Sequence, residues 1–322
     1  MATLLAPVLA VVLALALAVV LAIGGALRAA GNAEQPDVAL VAGAAAPGSA
    51  PGAGATDGSG TVERAVSGAL ATAAQVATAH LAGERTGAAL AAVRDAAARA
   101  GGTVHVVVLG PDGREQLAGP GADQPVFTAS LVKLLVVQQL FAREAAGLLP
   151  LSAGDLRLME RAVTSSDDGA MSTLWDRFGG AELMTAAAAQ VGLRGTTLPA
   201  ERGQWGEALT TARDTAVFLS RLPDQLAADD LATLTGWLRS PAAIARDGFD
   251  QRWGLLSPAV TTTGPVAAKQ GWMCCIDGRR QLHSAGVLAD GRTVVLLGDF
   301  PVTTSWARAK EALDAAAQAV VG

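Results

Sequence analysis

The chain contains no tyrosine, a single asparagine (Asn32), three histidines and two cysteines among 322 residues. Each scarcity removes a class of chemistry. His80, His105 and His283 are too few and too scattered to build a zinc ligand set or to offer an obvious Ser-His-Asp base. No Gly-x-Ser-x-Gly elbow occurs. Cys274 and Cys275 are adjacent, so they cannot form a disulfide framework; a vicinal disulfide or two buried thiols are the alternatives. Charged residues make up 16% of the chain and its net charge is −5, with no basic stripe, so a nucleic-acid partner is not expected. Aromatic residues are 4%, while alanine and glycine are abundant.

Residues 2–27 form an uncharged apolar run, long enough to span a bilayer and longer than the apolar core of most cleavable signals. An uncleaved anchor over 1–28 is therefore expected, with a cleaved signal ending near Gly31 and Ala33 as the alternative. No cysteine lies near the N-terminus, so a lipid-anchored form is not expected. Residues 29–60 are rich in Ala, Gly, Pro and Ser without apolar periodicity and read as a linker. Residues 61–100 have helical composition, interrupted at Gly68, Gly83 and Gly87, with a loose stripe of Val62, Val66, Leu70 and Val76. They read either as a helix packed on the following domain or, in their first half, as a semi-rigid stalk. The rest of 61–322 is long enough for one domain.

Chemistry concentrates in Ser130-Leu-Val-Lys133, at the mouth of an apolar helix. A serine and a lysine at i and i+3 share a helix face. A lysine set among Leu131, Val132, Leu134 and Leu135 is partly desolvated, which favours its neutral form. It can then take the serine's proton without any histidine. Two further elements follow in order, Ser166-Asp-Asp168 and Lys269-Gln-Gly271.

The ordered set S-x-x-K, S-D-D and K-Q-G resembles the active-site motifs of the serine β-lactamase and penicillin-binding superfamily, most nearly the class A β-lactamases. The resemblance runs from about Thr103 to the C-terminus. It implies an α+β, β-lactamase/transpeptidase-like fold, an antiparallel sheet flanked by helices with an all-helical subdomain. Residues 103–110 and the turn Pro111-Asp-Gly113 are expected to open that sheet. Its last three strands are expected at 262–271, 281–288 and 292–300, with 273–280 turning between the first two. Residues 301–321 read as the closing helix. The resemblance assigns Ser130 as nucleophile, Lys133 as its base, and Ser166 as the group that passes a proton to the leaving nitrogen. Ser166 is preferred to Ser165 because Asp167 then fills the middle of the motif and Ala170 falls on a small-residue position. Lys269 is expected to hold a substrate carboxylate and to act electrostatically on Ser166. Asp168, Gln270, Gly271 and Trp272 are assigned to substrate binding, Gly271 by leaving room beside the strand. Backbone N–H groups of Ser130 and Trp272 are expected to form the oxyanion hole. The branch that uses a tyrosine in place of Ser166 is excluded, and His105 and His283 read as structural strand residues.

Four departures from the class A pattern stand out. Asp168 replaces the family's asparagine and, unlike it, cannot donate a hydrogen bond as a carboxylate. The Ω-loop Glu-x-x-x-Asn is absent; Glu201 and Glu207 fall in its region, and neither can be assigned as base. Gln270 replaces a hydroxyl residue, and the stretch between Ser130 and Ser166 is short. The resemblance implies an extracytoplasmic serine hydrolase, without cofactor or metal, that forms an acyl-enzyme with a β-lactam or peptidoglycan-like amide. A non-catalytic or weakly active penicillin- or peptidoglycan-binding protein and a D,D-peptidase are the alternatives. A monomer tethered to the membrane is expected.

Overall fold

A computed structural model describes residues 59–322. The anchor and nearly all of the linker read in residues 1–60 lie outside the described residues. Contacts divide the chain between Ala82 and Gly83. Helix α1 covers Ser59–Arg99 without a break, so its three glycines do not interrupt it. Each glycine costs only about 1 kcal/mol in a helix, which leucine and alanine neighbours offset. Leu70 and Val76 of the predicted stripe are exposed. Among the described residues no helix is long and apolar enough to cross a membrane.

The second unit, residues 83–322, is built on a five-stranded antiparallel sheet in the order β2-β1-β7-β6-β5. The strands are β1 (Thr103–Leu109), β2 (Glu115–Ala118), β5 (Ala267–Ile276), β6 (Arg279–Val287) and β7 (Thr293–Pro301). A short pair, β3 (Val126–Phe127) with β4 (Leu209–Thr210), lies between β2 and β5 in sequence. The sheet is buried on both faces, as alternation along its strands dictates. Val107, Leu109, Val295 and Leu297 join the core of the helical lobe, while Val106, Val108, Val294 and Leu296 pack with Val93 of α1 and Ala316, Ala317 and Val320. The latter three belong to the closing helix α10 (Trp306–Val321).

Most helices between β3 and β5 form the other layer: α2 (Val132–Ala145), α3 (Ala153–Thr164), α4 (Asp168–Phe178), α5 (Gly180–Val191), α6 (Ala212–Ser220), α7 (Leu222–Gln225) and α8 (Ala228–Arg239); the single-turn α9 (Pro258–Thr261) packs its Val260 on the α10 side. Caps fix their starts. Ser152 and Asp155 form a capping box on α3, and the Asp167 carboxylate accepts from the Ala170 N–H at α4. The Asp167 cap leaves the preceding Ser166 free for the cleft.

Both ends of β5 depart from the sequence reading. Residues 262–266 are not strand, and β5 continues past Gly271 through Trp272, Met273 and Cys274, which pair with Leu282, Gln281 and Arg280. The turn expected over 273–280 is confined to Asp277 and Gly278, both at positive φ. Asp-Gly is the favoured two-residue hairpin turn, so pairing can run almost to the tip. The antiparallel sheet, the flanking helices and the helical lobe form the α+β architecture expected from the motifs.

Candidate active site

The nucleophile segment is short and tightly held. A 3₁₀ turn over Ala129–Leu131 runs directly into α2, with all three residues buried. Ala129 has φ 46°, a left-handed conformation costly for a residue with a Cβ. The segment before it is pinned on two sides. The Thr128 N–H donates to the Ala208 carbonyl at 2.7 Å, and the Phe127 carbonyl meets His283 Nε2 at 2.8 Å. Ser166 also has positive φ, 50°, at the turn between α3 and α4.

Four side chains converge from three places in the sequence. Lys133 Nζ lies 2.8 Å from Ser130 Oγ and 3.3 Å from Ser166 Oγ, and donates to the Ser166 carbonyl at 2.9 Å. Lys269 Nζ lies 2.8 Å from Ser166 Oγ and 2.7 Å from the Gln270 carbonyl. Ser166 therefore sits between two lysine amines. All four residues are buried, the two lysines almost completely. Burial lowers both lysines from their ordinary value. Asp168 opposes this at Lys133, while Lys133 lowers Lys269 further. Both lysines thus give up a proton more readily than an exposed lysine does.

Asp168 is the counter-charge. Its carboxylate accepts from Lys133 Nζ at 2.6 Å, yet its side chain is 67% exposed, so its other face is open. Ser165 is not part of the set; its hydroxyl lies 3.5 Å from that of Thr164. Asp167 points away from the lysines, into the Ala170 N–H and the Arg161 guanidinium. Burial would raise its carboxyl, but these partners outweigh it and hold it below the usual range.

One substrate-binding assignment does not fit the geometry. Gln270 faces the opposite side of β5 from Lys269, as strand alternation requires. It is buried, and its amide donates to the Gln251 and Trp253 carbonyls at 3.0 and 2.5 Å. Gly271 also makes room for the nucleophile segment. A Cβ there would lie 3.3 Å from the Thr128 carbonyl and His283 Cδ2 and 3.4 Å from Leu131 Cγ. Its bareness lets β5 approach the nucleophile turn. Trp272 is half-buried. Its ring stacks on Phe249 with centroids 5.0 Å apart, and its indole N–H donates to Asp247 at 2.9 Å. Its substrate role would fall to its backbone N–H.

His283 is fully buried behind Gly271 and is pushed down to about 4, chiefly by desolvation. It braces the turn and does not line the cleft. Cys274 and Cys275 form a vicinal disulfide in the exposed part of β5. Glu201 is exposed and Glu207 half-exposed, and neither hydrogen-bonds Ser130, Lys133 or Ser166. Among the described residues no group of histidine, cysteine and acidic side chains could hold a metal.

Sequence reasoning missed Trp205. Its ring lies over Lys133, with Nζ 4.9 Å from the ring centroid, and its N–H donates to Ser172 at 3.2 Å. The signal for it in the sequence is its place beside Gly206 and Glu207, in the region that corresponds to the Ω-loop.

No family model matches the chain. It is 34% identical over 206 residues to proteins named "Putative lipoprotein LppW" from Mycobacterium tuberculosis and Mycobacterium bovis, across 63% of this chain. The chain spans 64% of the length of these curated relatives. Among solved structures, a β-lactamase from Sphaerobacter thermophilus aligns with TM-score 0.57 at 18% identity, over 73% of this chain and 95% of that one. A β-lactamase from Chitinophaga pinensis aligns with TM-score 0.59 at 14% identity, over 71% and 96%. The L158E mutant of PBP-A, an acyl-enzyme complex with penicillin G, aligns with TM-score 0.57 at 18% identity, over 72% and 94%. The chain has the β-lactamase/transpeptidase-like fold that these proteins share.

Proposed function

We propose that this chain is a serine acyl-enzyme former of the β-lactamase and penicillin-binding kind, acting on the carbonyl of a β-lactam or a peptidoglycan-like amide. The observation that carries the reading is the buried relay Ser130–Lys133–Ser166–Lys269, with contacts of 2.8 to 3.3 Å along its length. Neutral Lys133 takes the Ser130 proton as Oγ attacks the carbonyl carbon. The Ser130 and Trp272 backbone N–H groups receive the oxyanion. Ser166, in contact with both lysines, gives its proton to the leaving nitrogen and regains one through Lys133 or Lys269. Lys269 holds Ser166 poised, and its charged form would attract a substrate carboxylate.

A second reading is supported by Asp168. Bonded to Lys133, it keeps that lysine more basic than burial alone would, which slows general-base chemistry. A weakly active or non-catalytic penicillin- or peptidoglycan-binding protein, or a D,D-peptidase that shares only the acylation step, fits the same pocket. No cofactor is required by either chemistry. The apolar run at 2–27 and the lipoprotein name of the relatives both support a place at the membrane, with the site on its outer side, although this sequence has no cysteine before Cys274. We take the chain to act as a monomer.

Exposure of the wild type and Ser130→Ala to a fluorescent penicillin tests the reading. A covalent adduct on the peptide containing Ser130, absent from Ser130→Ala, is the expected result. Equal labelling of the variant, or an adduct on another serine, would remove Ser130 as nucleophile.

A further inference from the structure

The geometry points to Trp205 as the residue that keeps water off the acyl-enzyme, so that this chain holds its acyl group instead of releasing it quickly. The inference rests on the acyl-enzyme reading above and assigns the fate of that intermediate.

Trp205 opens a 3₁₀ turn, Trp205–Glu207. Its ring covers Lys133 at 4.9 Å from Nζ. It is tied from both sides. Its indole N–H donates to Ser172 on α4 at 3.2 Å, and the next residue's carbonyl accepts from the Thr128 hydroxyl at 3.3 Å. Gly206 itself lies against the nucleophile segment and β5; a Cβ on it would be 3.9 Å from Ala129 Cα and 3.7 Å from Met273 Sδ. The ring is thus a fixed wall on the Lys133 side of the nucleophile.

Hydrolysis of the ester at Ser130 needs a water oxygen to attack the acyl carbon, a base to take its proton, and Ser130 Oγ to leave with a proton. Carboxylic acid and free serine are the products. The water must stand beside Ser130 within reach of that base. An indole offers no acceptor for the water's proton, and its one donor is already directed at Ser172. Neither Glu201 nor Glu207 hydrogen-bonds a member of the relay. An apolar wall that excludes water at this point suppresses hydrolysis without obstructing acylation, which proceeds through Ser130, Lys133 and Ser166.

The test uses the full chain as wild type, Trp205→Phe, Trp205→Ala and Ser172→Ala. Each is acylated with benzylpenicillin and freed of excess reagent, and loss of the Ser130 adduct is followed by intact mass. Opening the wall in Trp205→Ala is expected to speed release about tenfold or more, while Trp205→Phe stays within about twofold of wild type. Ser172→Ala, which frees the indole, should move release in the same direction by less. Melting temperatures identify the variants that fold, and Ser172→Ala carries the comparison should Trp205→Ala fail to. An adduct lifetime equal to wild type in folded Trp205→Ala or Ser172→Ala would overturn the role of Trp205 and leave the acyl-enzyme reading standing. Absence of any adduct on the wild type would overturn both.

Discussion

Asp168 sets the basicity of Lys133. Burial lowers that lysine, and the carboxylate 2.6 Å away opposes the effect by charge and by hydrogen bond. Asp168→Asn removes the opposing charge, so Lys133 becomes less basic and a larger fraction is neutral at a given pH. The rising limb of the acylation rate against pH should move toward acid, and penicillin acylation near neutral pH should become faster. Stopped-flow acylation of both proteins across pH decides this; an unmoved limb would mean that the Asp168–Lys133 pair does not govern the base. The motif residues that meet in space were legible in the sequence because their chemistry is local. A serine and a lysine one turn apart share a face wherever they occur, and Ser166 was placed by Asp167 in the middle of its motif and by Ala170 on a small-residue position. Gln270 was misread because a three-letter motif does not say which side of a strand its middle residue faces. Trp205 was passed over because its role depends on where the loop after α5 folds back, which no local pattern encodes.

At the level of elements, the closeness of β5 to the nucleophile turn depends on a glycine. At Gly271 a methyl group would meet three atoms at 3.3 to 3.4 Å, two of them on the segment that carries Ser130. Gly271→Ala should push β5 and the turn apart, at a cost of about 1–3 kcal/mol for overpacking a buried site. Denaturant unfolding measures that loss. Acylation should slow as well, because Lys269 and the Trp272 N–H ride on the same strand. A variant with wild-type stability and acylation would show that β5 has slack at this point. The sheet itself was expected from the resemblance, through residues 103–110, the Pro111-Asp-Gly113 turn and the three strands near the C-terminus. The first edge of β5 was not, because Thr262 and Thr263 have strand propensity yet follow the helical turn Pro258–Thr261 and end at Gly264, whose φ of 148° breaks the extended run. Its far end was missed because the family motif stops at Gly271 while cross-strand pairing does not.

For the whole molecule, buried basic groups should make stability fall early on acidification. His283 is fully buried and held at about 4, against an ordinary 6.5. Desolvation is the main cause, and the Phe127 carbonyl only partly compensates. His105 is lowered in the same direction, again mainly by burial. A histidine depressed in the folded state binds its proton first in the unfolded chain. Its contribution is complete above pH 6.5 and is lost as pH falls from there toward 4, with a slope of about 1.4 kcal/mol per pH unit for each proton taken up. Below that window the carboxylates take over. Asp250, held at about 2 by its hydrogen bonds to Arg252, contributes stability that disappears only as pH falls below the ordinary carboxylate range. Two successive losses are therefore expected in denaturant unfolding free energy against pH, the first between 6.5 and 4. His283→Gln can keep a donor to the Phe127 carbonyl while removing the titration, so its stability should be lower overall but flatter over that first window. The comparison is one of slopes, which separates the proton linkage from the cost of altering a fully buried side chain. A variant as steep as wild type between pH 6.5 and 4 would show that His283 is not the group responsible.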